Sequence, residues 1–254
     1  MNPFLLPPAI DFTAVFFVGI SGALVAVRRG YDIVGIFFLA LITSLGGAFL
    51  RDGIFLQNGP PAVVSDERYI LLILAATIIG TLFRNKMHKV GRLVSLMDAV
   101  GLAAYAVLGT TKALSAGIPV SGSILVGVVN AVGGGMLRDL CTREEPMVFR
   151  PGEFYALVAF FGATAYALLV KNELMDPTQA AYLCIILMLI TRFLTIALNW
   201  KTRSFQALYG DGVVLTEGPF IAVRQEAAEK TAELAARQAA REGAEENPPP
   251  ADRD

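Results

Sequence analysis

The sequence has almost none of the residues from which most enzyme active sites and metal sites are built. Among 254 residues there are only one histidine, His88, and two cysteines, Cys141 and Cys184. Two cysteines beside or within apolar runs form no disulfide framework and lack metal-ligand spacing. A single histidine in a basic segment offers no Ser–His–Asp set, and no Walker phosphate-binding sequence is present. We therefore expect no enzyme activity, no metal ion and no cofactor.

Charge is scarce as well. Charged residues make up 17% of the chain and hydrophobic residues 55%, and the mean hydropathy is +0.58. Soluble domains carry about 25% charged residues, so this composition predicts an integral membrane protein. The basic residues are dispersed, and we expect no nucleic-acid partner. No basic residue precedes the first apolar run, as a cleavable signal peptide would require, so we expect this run to be retained.

Apolar runs of about the length that crosses a bilayer, roughly 20 residues, are bounded by charge, proline or glycine. They predict an all-α integral membrane protein with seven transmembrane helices, of which the third and sixth are short. The predicted spans are Ile10–Val27, Ile33–Leu56, Tyr69–Phe83, Leu93–Leu114, Val120–Cys141, Phe154–Val170 and Ala180–Trp200.

The connections between these spans differ in positive charge. Three basic residues lie on the side of the N-terminus: Arg68, Lys112 and Lys171. Ten lie on the other side: Arg28, Arg29, Arg84, Lys86, Lys89, Arg92, Arg143, Arg150, Lys201 and Arg203. Because positive charge is retained in the cytoplasm, we expect an outside N-terminus and a cytoplasmic C-terminus.

The chain repeats itself. Shifting it by 87 positions gives 13 identities over the 73 positions from residue 11. The matched residues include Asp11 with Asp98, Gly22 with Gly109, Gly30 with Gly117, Gly35 with Gly122, Gly46-Gly47 with Gly133-Gly134, and Leu50-Arg51-Asp52 with Leu137-Arg138-Asp139. Each repeat holds three spans, an odd number, so the second repeat is inverted relative to the first. Such inverted repeats are typical of transporters and channels, and they predict a transport pathway.

The repeat also divides the chain. We predict a short N-terminal segment over residues 1–9, a first three-helix repeat over 10–92, a second over 93–177, and a seventh helix over 178–201. A polar cytoplasmic tail, partly disordered and without a catalytic role, follows over 202–254.

The second and fifth spans carry the same glycine motif, Gly46-Gly47 in one and Gly133-Gly134-Gly135 in the other. Adjacent glycines weaken a helix, so we expect both helices to kink or break there and to line a pore. Backbone carbonyls released by a break at membrane depth need water, an ion or a neighbouring helix. The alternative is close helix packing, for which small residues are also used.

An arginine and an aspartate follow each motif, Arg51-Asp52 and Arg138-Asp139. Charged residues within a span are costly unless they are paired or hydrated, and they indicate function. The inverted topology places one pair toward each side of the membrane, so we expect them to line or gate a pore. The alternative is structural ion pairing.

Several further polar residues are weaker candidates. Asn130 and its repeat counterpart Thr43 precede the glycines and are expected to face the path or a neighbouring helix. Asp11 and Asp98 open the first span of each repeat, where an acid favours a helix N-terminus, with an ion-path role as the alternative. Lys112 either approaches the pore or extends to the membrane surface, and Arg192, midway in the seventh span, needs a partner or water.

These features, above all Gly133-Gly134-Gly135-Met136-Leu137-Arg138, resemble the trimeric intracellular cation (TRIC) channels and their prokaryotic relatives. The resemblance covers about residues 10 to 200. It implies a homotrimer with a pore in each protomer, lined by kinked second and fifth helices and permeable to monovalent cations, chiefly potassium. The permeant ion is K⁺ or Na⁺, and the preference between them stays open. Ala48 replaces the third glycine in the first repeat, which departs from strict symmetry. The composition suggests a prokaryotic member in the cell inner membrane.

Two other functions stay open. The same repeat family is linked to glycine uptake, which implies a secondary transporter that binds a small zwitterion such as glycine. A structural or lipid-organising membrane protein is the third possibility. We expect membrane lipids as partners besides other copies of the chain, and the Arg84–Arg92 cluster suits anionic headgroups.

Overall fold

The computed structural model describes residues 6–57, 59–60, 62–83, 90–150 and 154–198, and this part of the chain contains helices and no strand. The predicted tail over 202–254, His88 and most of the Arg84–Arg92 cluster lie outside the described residues.

Eight helices form the described part of the chain. They are α1 (Pro8–Arg28), α2 (Ile33–Leu56), a single turn α3 (Ala62–Ser65), α4 (Arg68–Leu82), α5 (Val90–Ser115), α6 (Val120–Cys141), α7 (Tyr155–Lys171) and α8 (Pro177–Ala197). Five of them are long and apolar enough to cross a membrane, and α4 and α7 are the shorter apolar helices. The predicted seven spans, with a short third and sixth, are confirmed.

Local sequence determines where these helices begin and end. Gly30 after α1 and Gly117 after α5 have φ angles of +75° and +78°, in the left-handed region that glycine adopts without strain. The next residue donates its N–H back to a carbonyl five positions earlier, from Tyr31 to Ala26 and from Ile118 to Ala113, both at 3.1 Å. These are Schellman endings. Both occur at equivalent repeat positions, so the repeat extends to the way the helices end.

Side-chain caps begin two other helices. The Asp32 carboxylate accepts the Gly35 N–H at 2.8 Å at the start of α2, and the Asp176 carboxylate accepts the Thr178 N–H at 2.8 Å at the start of α8. Each carboxylate satisfies an N–H that lacks a partner within its helix.

Helices α1, α2, α5 and α6 form the centre of the described bundle. Helix α1 packs on α2 and α5, α5 packs on α6, and α2 packs directly on α6. Helix α4 covers α1 and α2, and α7 covers α5 and α6, so the two repeats place equivalent helices in equivalent positions. Helix α8 lies outside this symmetry and packs on α5 and α7.

The glycines of α2 and α6 meet where these helices cross. A Cβ atom added to Gly47 would overlap the carbonyl oxygen of Asn130, and one added to Gly134 would overlap the carbonyl oxygen of Thr43. These contacts are reciprocal, because Gly134 and Asn130 are the repeat counterparts of Gly47 and Thr43. Thr43 contacts Gly134, whereas Gly47, four residues later in α2, contacts Asn130, four residues earlier in α6. The two helices are therefore antiparallel. This confirms the inverted repeats.

Of the predicted kink or break at the glycines, the break is wrong, and the kink stays a prediction. Helix α6 continues through Gly133, Gly134 and Gly135, and α2 remains α-helical through Gly46 and Gly47. The backbone of α2 departs from α-helical geometry only at Arg51–Leu56, which form a π-helix. The motif glycines at the crossing allow the two backbones to approach closely, which is the packing alternative.

Candidate functional site

Arg138 lies at the centre of a buried polar group that joins three helices. Its Nη1 donates to Asp98 Oδ2 at 2.8 Å and to Ser21 Oγ at 2.6 Å, and its Nε donates to Asp139 Oδ1 at 2.9 Å. All four residues are buried. We call Arg138, Asp98, Ser21 and Asp139 the Arg138 cluster. Two carboxylates face one guanidinium in it, so the formal charge of the cluster is negative.

The structure corrects the expectation for Asp98. Helix α5 begins at Val90, about two turns earlier, so Asp98 does not open the helix. Its repeat counterpart Asp11 does lie in the first turn of α1, as expected. There it accepts a hydrogen bond of 2.7 Å from the Tyr69 hydroxyl of α4. The two aspartates therefore have different roles despite their equivalent positions.

Arg51 forms the corresponding group in the first repeat. Its Nε and Nη2 donate to both carboxylate oxygens of Asp52, at 2.7 and 2.6 Å, a bidentate arrangement. Its Nη1 donates to Asn130 Oδ1 at 3.3 Å, and Asn130 Nδ2 donates to the Tyr105 carbonyl at 2.7 Å. We call Arg51, Asp52 and Asn130 the Arg51 cluster. It extends across the repeat boundary, since Asn130 belongs to α6.

A small cavity lies beside the glycine crossing. Its volume is about 10 Å³, and its lining includes Thr43, Asp98, Tyr105, Gly134, Gly135 and Tyr155. A volume of this size holds about one water molecule. A hydrated monovalent ion does not fit, so this point is closed in the structure.

Of the remaining predicted residues, Thr43 lines the cavity, and Lys112 and Arg192 do not. The Thr43 hydroxyl donates to the Leu39 carbonyl of its own helix at 2.5 Å. Lys112 is half-buried near the end of α5, and Arg192 is fully buried on α8.

Gly135 lies outside the helix crossing. A Cβ atom there would make ordinary contact, at 3.4 Å, with the Tyr155 hydroxyl. The third glycine is therefore not required for the crossing, which accounts for alanine at the equivalent position, Ala48.

Sequence reasoning missed three residues of this site. Ser21 accepts a hydrogen bond from Arg138, and Tyr105 and Tyr155 line the cavity. The repeat comparison did not reveal them, because their counterparts are different residues: Leu108, Val18 and Arg68. The one available signal was a hydroxyl within or next to an apolar run.

Glu144, in the connection between α6 and α7, forms ion pairs at the end of α1. It lies 2.7 Å from Arg28 and from Arg29 and 3.5 Å from Arg150. Partial burial alone would raise the pKa of the Glu144 carboxyl, but the neighbouring guanidiniums outweigh this effect and hold the pKa below its ordinary value. The connection after α6 is thereby joined electrostatically to the end of α1.

A metal site is not formed by the residues that the structure describes, since no three His, Cys, Asp or Glu side chains among them come together. The described site therefore consists of charged side chains, hydroxyl groups and one narrow cavity.

Comparisons with known proteins agree with this architecture. A family model described as "Glycine transporter" matches residues 8–85 and 95–171, one segment in each repeat. A UPF0126 membrane protein of Deinococcus radiodurans is 33% identical over 71% of this chain and 84% of its own length. A second relative, YvgT of Bacillus subtilis, is 31% identical over 74% of this chain and 91% of its own length.

The solved structures decide the family. The crystal structure of the TRIC channel orthologue from Rhodobacter sphaeroides has a TM-score of 0.70 and 30% identity, over 75% of this chain and 96% of that one. A prokaryotic TRIC channel crystallised in 0.5 M KCl gives a TM-score of 0.69 at 28% identity, over 75% of this chain and 95% of that one. The chain belongs to the TRIC channel family. It is a multi-pass membrane protein, and its solved TRIC relatives are channels rather than enzymes, which supports a cation channel.

Proposed function

We propose that the chain forms a K⁺-permeable monovalent cation channel, with a pore in each protomer between α2 and α6. The observation that supports this most is the closed cavity beside the α2–α6 crossing. It is lined by a carboxylate, hydroxyl groups and glycines, and it adjoins a polar cluster with net negative charge. Negative charge and oxygen atoms suit a passing cation. Family membership supports the same conclusion.

The Arg138 cluster is the gate in this proposal. Arg138 ties α6 to Asp98 on α5 and Ser21 on α1, and Asp98 lines the cavity. Widening the cavity enough for an ion requires these helices to separate, and that movement breaks the buried hydrogen bonds. The glycine crossing needs no backbone break, because small side chains allow the helices to slide or tilt.

The assembly and orientation follow the solved relatives and the charge distribution. One relative is described as trimeric, and we propose a homotrimer in the cell inner membrane among its lipids. The excess of basic residues on one side supports an outside N-terminus and a cytoplasmic C-terminus. Native mass measurement is expected to give three copies of the 27.2-kDa chain.

Recording from the purified protein in planar bilayers under a K⁺ gradient tests the channel function. We expect discrete current steps that reverse near the K⁺ equilibrium potential. Exchanging K⁺ for Na⁺ on one side then measures selectivity. Arg138→Ala and Asp139→Asn are expected to change the open probability. If both variants assemble and their currents equal those of the wild type, the proposed gate is wrong.

The family model's description supports a second candidate, a carrier for glycine. Uptake of radiolabelled glycine into proteoliposomes of the same preparation distinguishes the two functions. A carrier gives saturable uptake that unlabelled glycine competes away, with silent bilayers. A channel gives currents and no saturable uptake.

A further inference from the structure

Helix α8 lies outside the repeats and still presents a charged residue to the bundle. Its buried residues follow a helical spacing along one face: Ala180, Ala181, Cys184, Met188, Arg192 and Thr195. This face packs on α5 and α7. Arg192 is fully buried on it. A buried arginine within a membrane span is costly, and it indicates a function.

Arg192 lies against an aromatic ring of the candidate pore. Its Cζ atom is 5.2 Å from the centre of the Tyr155 ring, within the range of a cation–π interaction. Tyr155 is the first residue of α7, and it lines the cavity together with Asp98 and Gly135. Arg192 itself is not part of the cavity lining. The Tyr155 ring thus contacts the cavity and the α8 arginine.

Met188 of α8 packs against Gly162 of α7. A Cβ atom added to Gly162 would lie 2.6 Å from Met188 Cγ and closer still to its sulfur. Met188 precedes Arg192 by about one helical turn on the same buried face. Met188 occupies the space left by Gly162, so α8 packs closely on α7, and a shift of α8 along α7 would move Arg192 relative to Tyr155.

We infer that Arg192 is a positioning residue for the pore. It holds the Tyr155 ring at the cavity in the narrow state, the closed conformation described above, and so couples α8 to conduction. The inference rests on the proposed channel function. It concerns one repeat only, because the position equivalent to Tyr155 in the first repeat is Arg68. Control through α8 therefore acts at the end of the pore that contains the Arg138 cluster.

Single-channel recording of Arg192→Met tests this inference. The variant keeps an unbranched side chain of moderate length and loses the cation. We expect the ratio of open to closed time to rise on the order of 10-fold, because the narrow state loses its cation–π contact. The unitary K⁺ conductance is expected to stay unchanged, since Arg192 does not line the cavity. Arg192→Lys retains a cation and is expected to restore most of the wild-type gating.

Two control variants separate this role from packing. Cys184→Ala changes a residue on the same buried face of α8. Tyr166→Phe changes another buried tyrosine of α7, whose hydroxyl accepts a hydrogen bond from Thr111 at 2.8 Å. Both are expected to gate like the wild type. A change as large as that of Arg192→Met in either control would overturn the inference.

The tyrosine supplies an independent measurement. Tyr155→Leu removes the ring and is expected to raise the open probability as Arg192→Met does, whereas Tyr155→Phe keeps the ring and the coupling. In the Tyr155→Leu background, Arg192→Met is expected to add nothing. Fully additive effects would show that the two residues act separately. If Arg192→Met fails to assemble, Arg192→Gln, which also lacks the cation, takes its place in this cycle.

The outcomes distinguish the inference from the proposed function. A silent wild type overturns the channel function, and the inference with it. A conducting wild type whose gating is unaffected by Arg192→Met overturns the inference alone.

Discussion

Gly47 and Gly134 leave room for backbone atoms of the opposite helix, and no other residue type does so. The two contacts are equivalent, each placing the missing Cβ on a carbonyl oxygen. A backbone oxygen cannot rotate away as the end of a flexible side chain can. The helices themselves must therefore separate if a side chain is introduced.

Replacing either glycine by alanine is expected to destabilise the protein by about 1–3 kcal/mol, the usual cost of overpacking a well-packed contact. Thermal unfolding in detergent measures this loss. Gly91→Ala is the matched control, because it is a helical glycine in α5 with no atom of the described residues within 4 Å of its Cβ position. If Gly47→Ala and Gly91→Ala unfold at the same temperature, the crossing tolerates a side chain at Gly47 and is not tightly packed.

The two repeat-related buried arginines, Arg51 and Arg138, differ in how their charge is neutralised. Arg138 faces the carboxylates of Asp98 and Asp139, whereas Arg51 has one carboxylate, Asp52, and the Asn130 amide. The Arg138 cluster is thus the more negative of the two. The symmetric backbone consequently carries an asymmetric charge distribution, and a cation meets different surroundings in each half.

At the scale of helices and their connections, Glu144 joins the α6–α7 connection to the end of α1. Its pKa is lower in the folded protein than in the unfolded chain. The ion pairs with Arg28 and Arg29 therefore contribute their full stability above a pH of about 4.5, the ordinary value for this carboxyl. That contribution is lost as the pH falls through the folded-state pKa.

Glu144→Gln is accordingly expected to unfold at a lower temperature than the wild type at pH 7, by an amount that corresponds to no more than about 1 kcal/mol for a partly exposed pair. The difference is expected to vanish in acid. Thermal unfolding between pH 7 and 3 measures it. In an Arg28→Gln, Arg29→Gln background the Glu144 substitution should have little effect. A difference that stays the same size between pH 7 and pH 3 would contradict the ion-pair explanation.

Hydropathy and the repeat predicted the helices, their inverted arrangement and the residues of both arginine clusters except Ser21. They did not predict how the glycines act, because adjacent glycines are equally compatible with a broken helix and with a tight crossing. Only the position of the Asn130 and Thr43 carbonyls distinguishes these cases. Ser21 was missed for a similar reason, since its partner Asp98 is 77 positions away and on another helix.

At the scale of the whole molecule, the native cysteines test the proposed orientation. Cys141 is exposed at the end of α6, and Cys184 is buried on α8. With an outside N-terminus, the end of α6 faces the cytoplasm. A membrane-impermeant maleimide is expected to label Cys141 in inside-out vesicles and to leave it unlabelled in right-side-out vesicles.

The buried cysteine serves as the internal control. Cys141→Ser is expected to abolish labelling in both vesicle preparations until the protein is unfolded, when Cys184 reacts. Labelling of Cys141 in right-side-out vesicles alone would reverse the proposed topology.

The Arg51–Asp52 ion pair has a consequence for biogenesis. Its two members are adjacent in the chain, whereas Asn130 is 79 positions further on. When the ribosome has delivered α2 to the insertion machinery, α6 has not yet been synthesised. A neighbouring carboxylate is therefore the first partner available to the guanidinium, and it lowers the cost of holding an arginine in the lipid until translation supplies the second half of the protein.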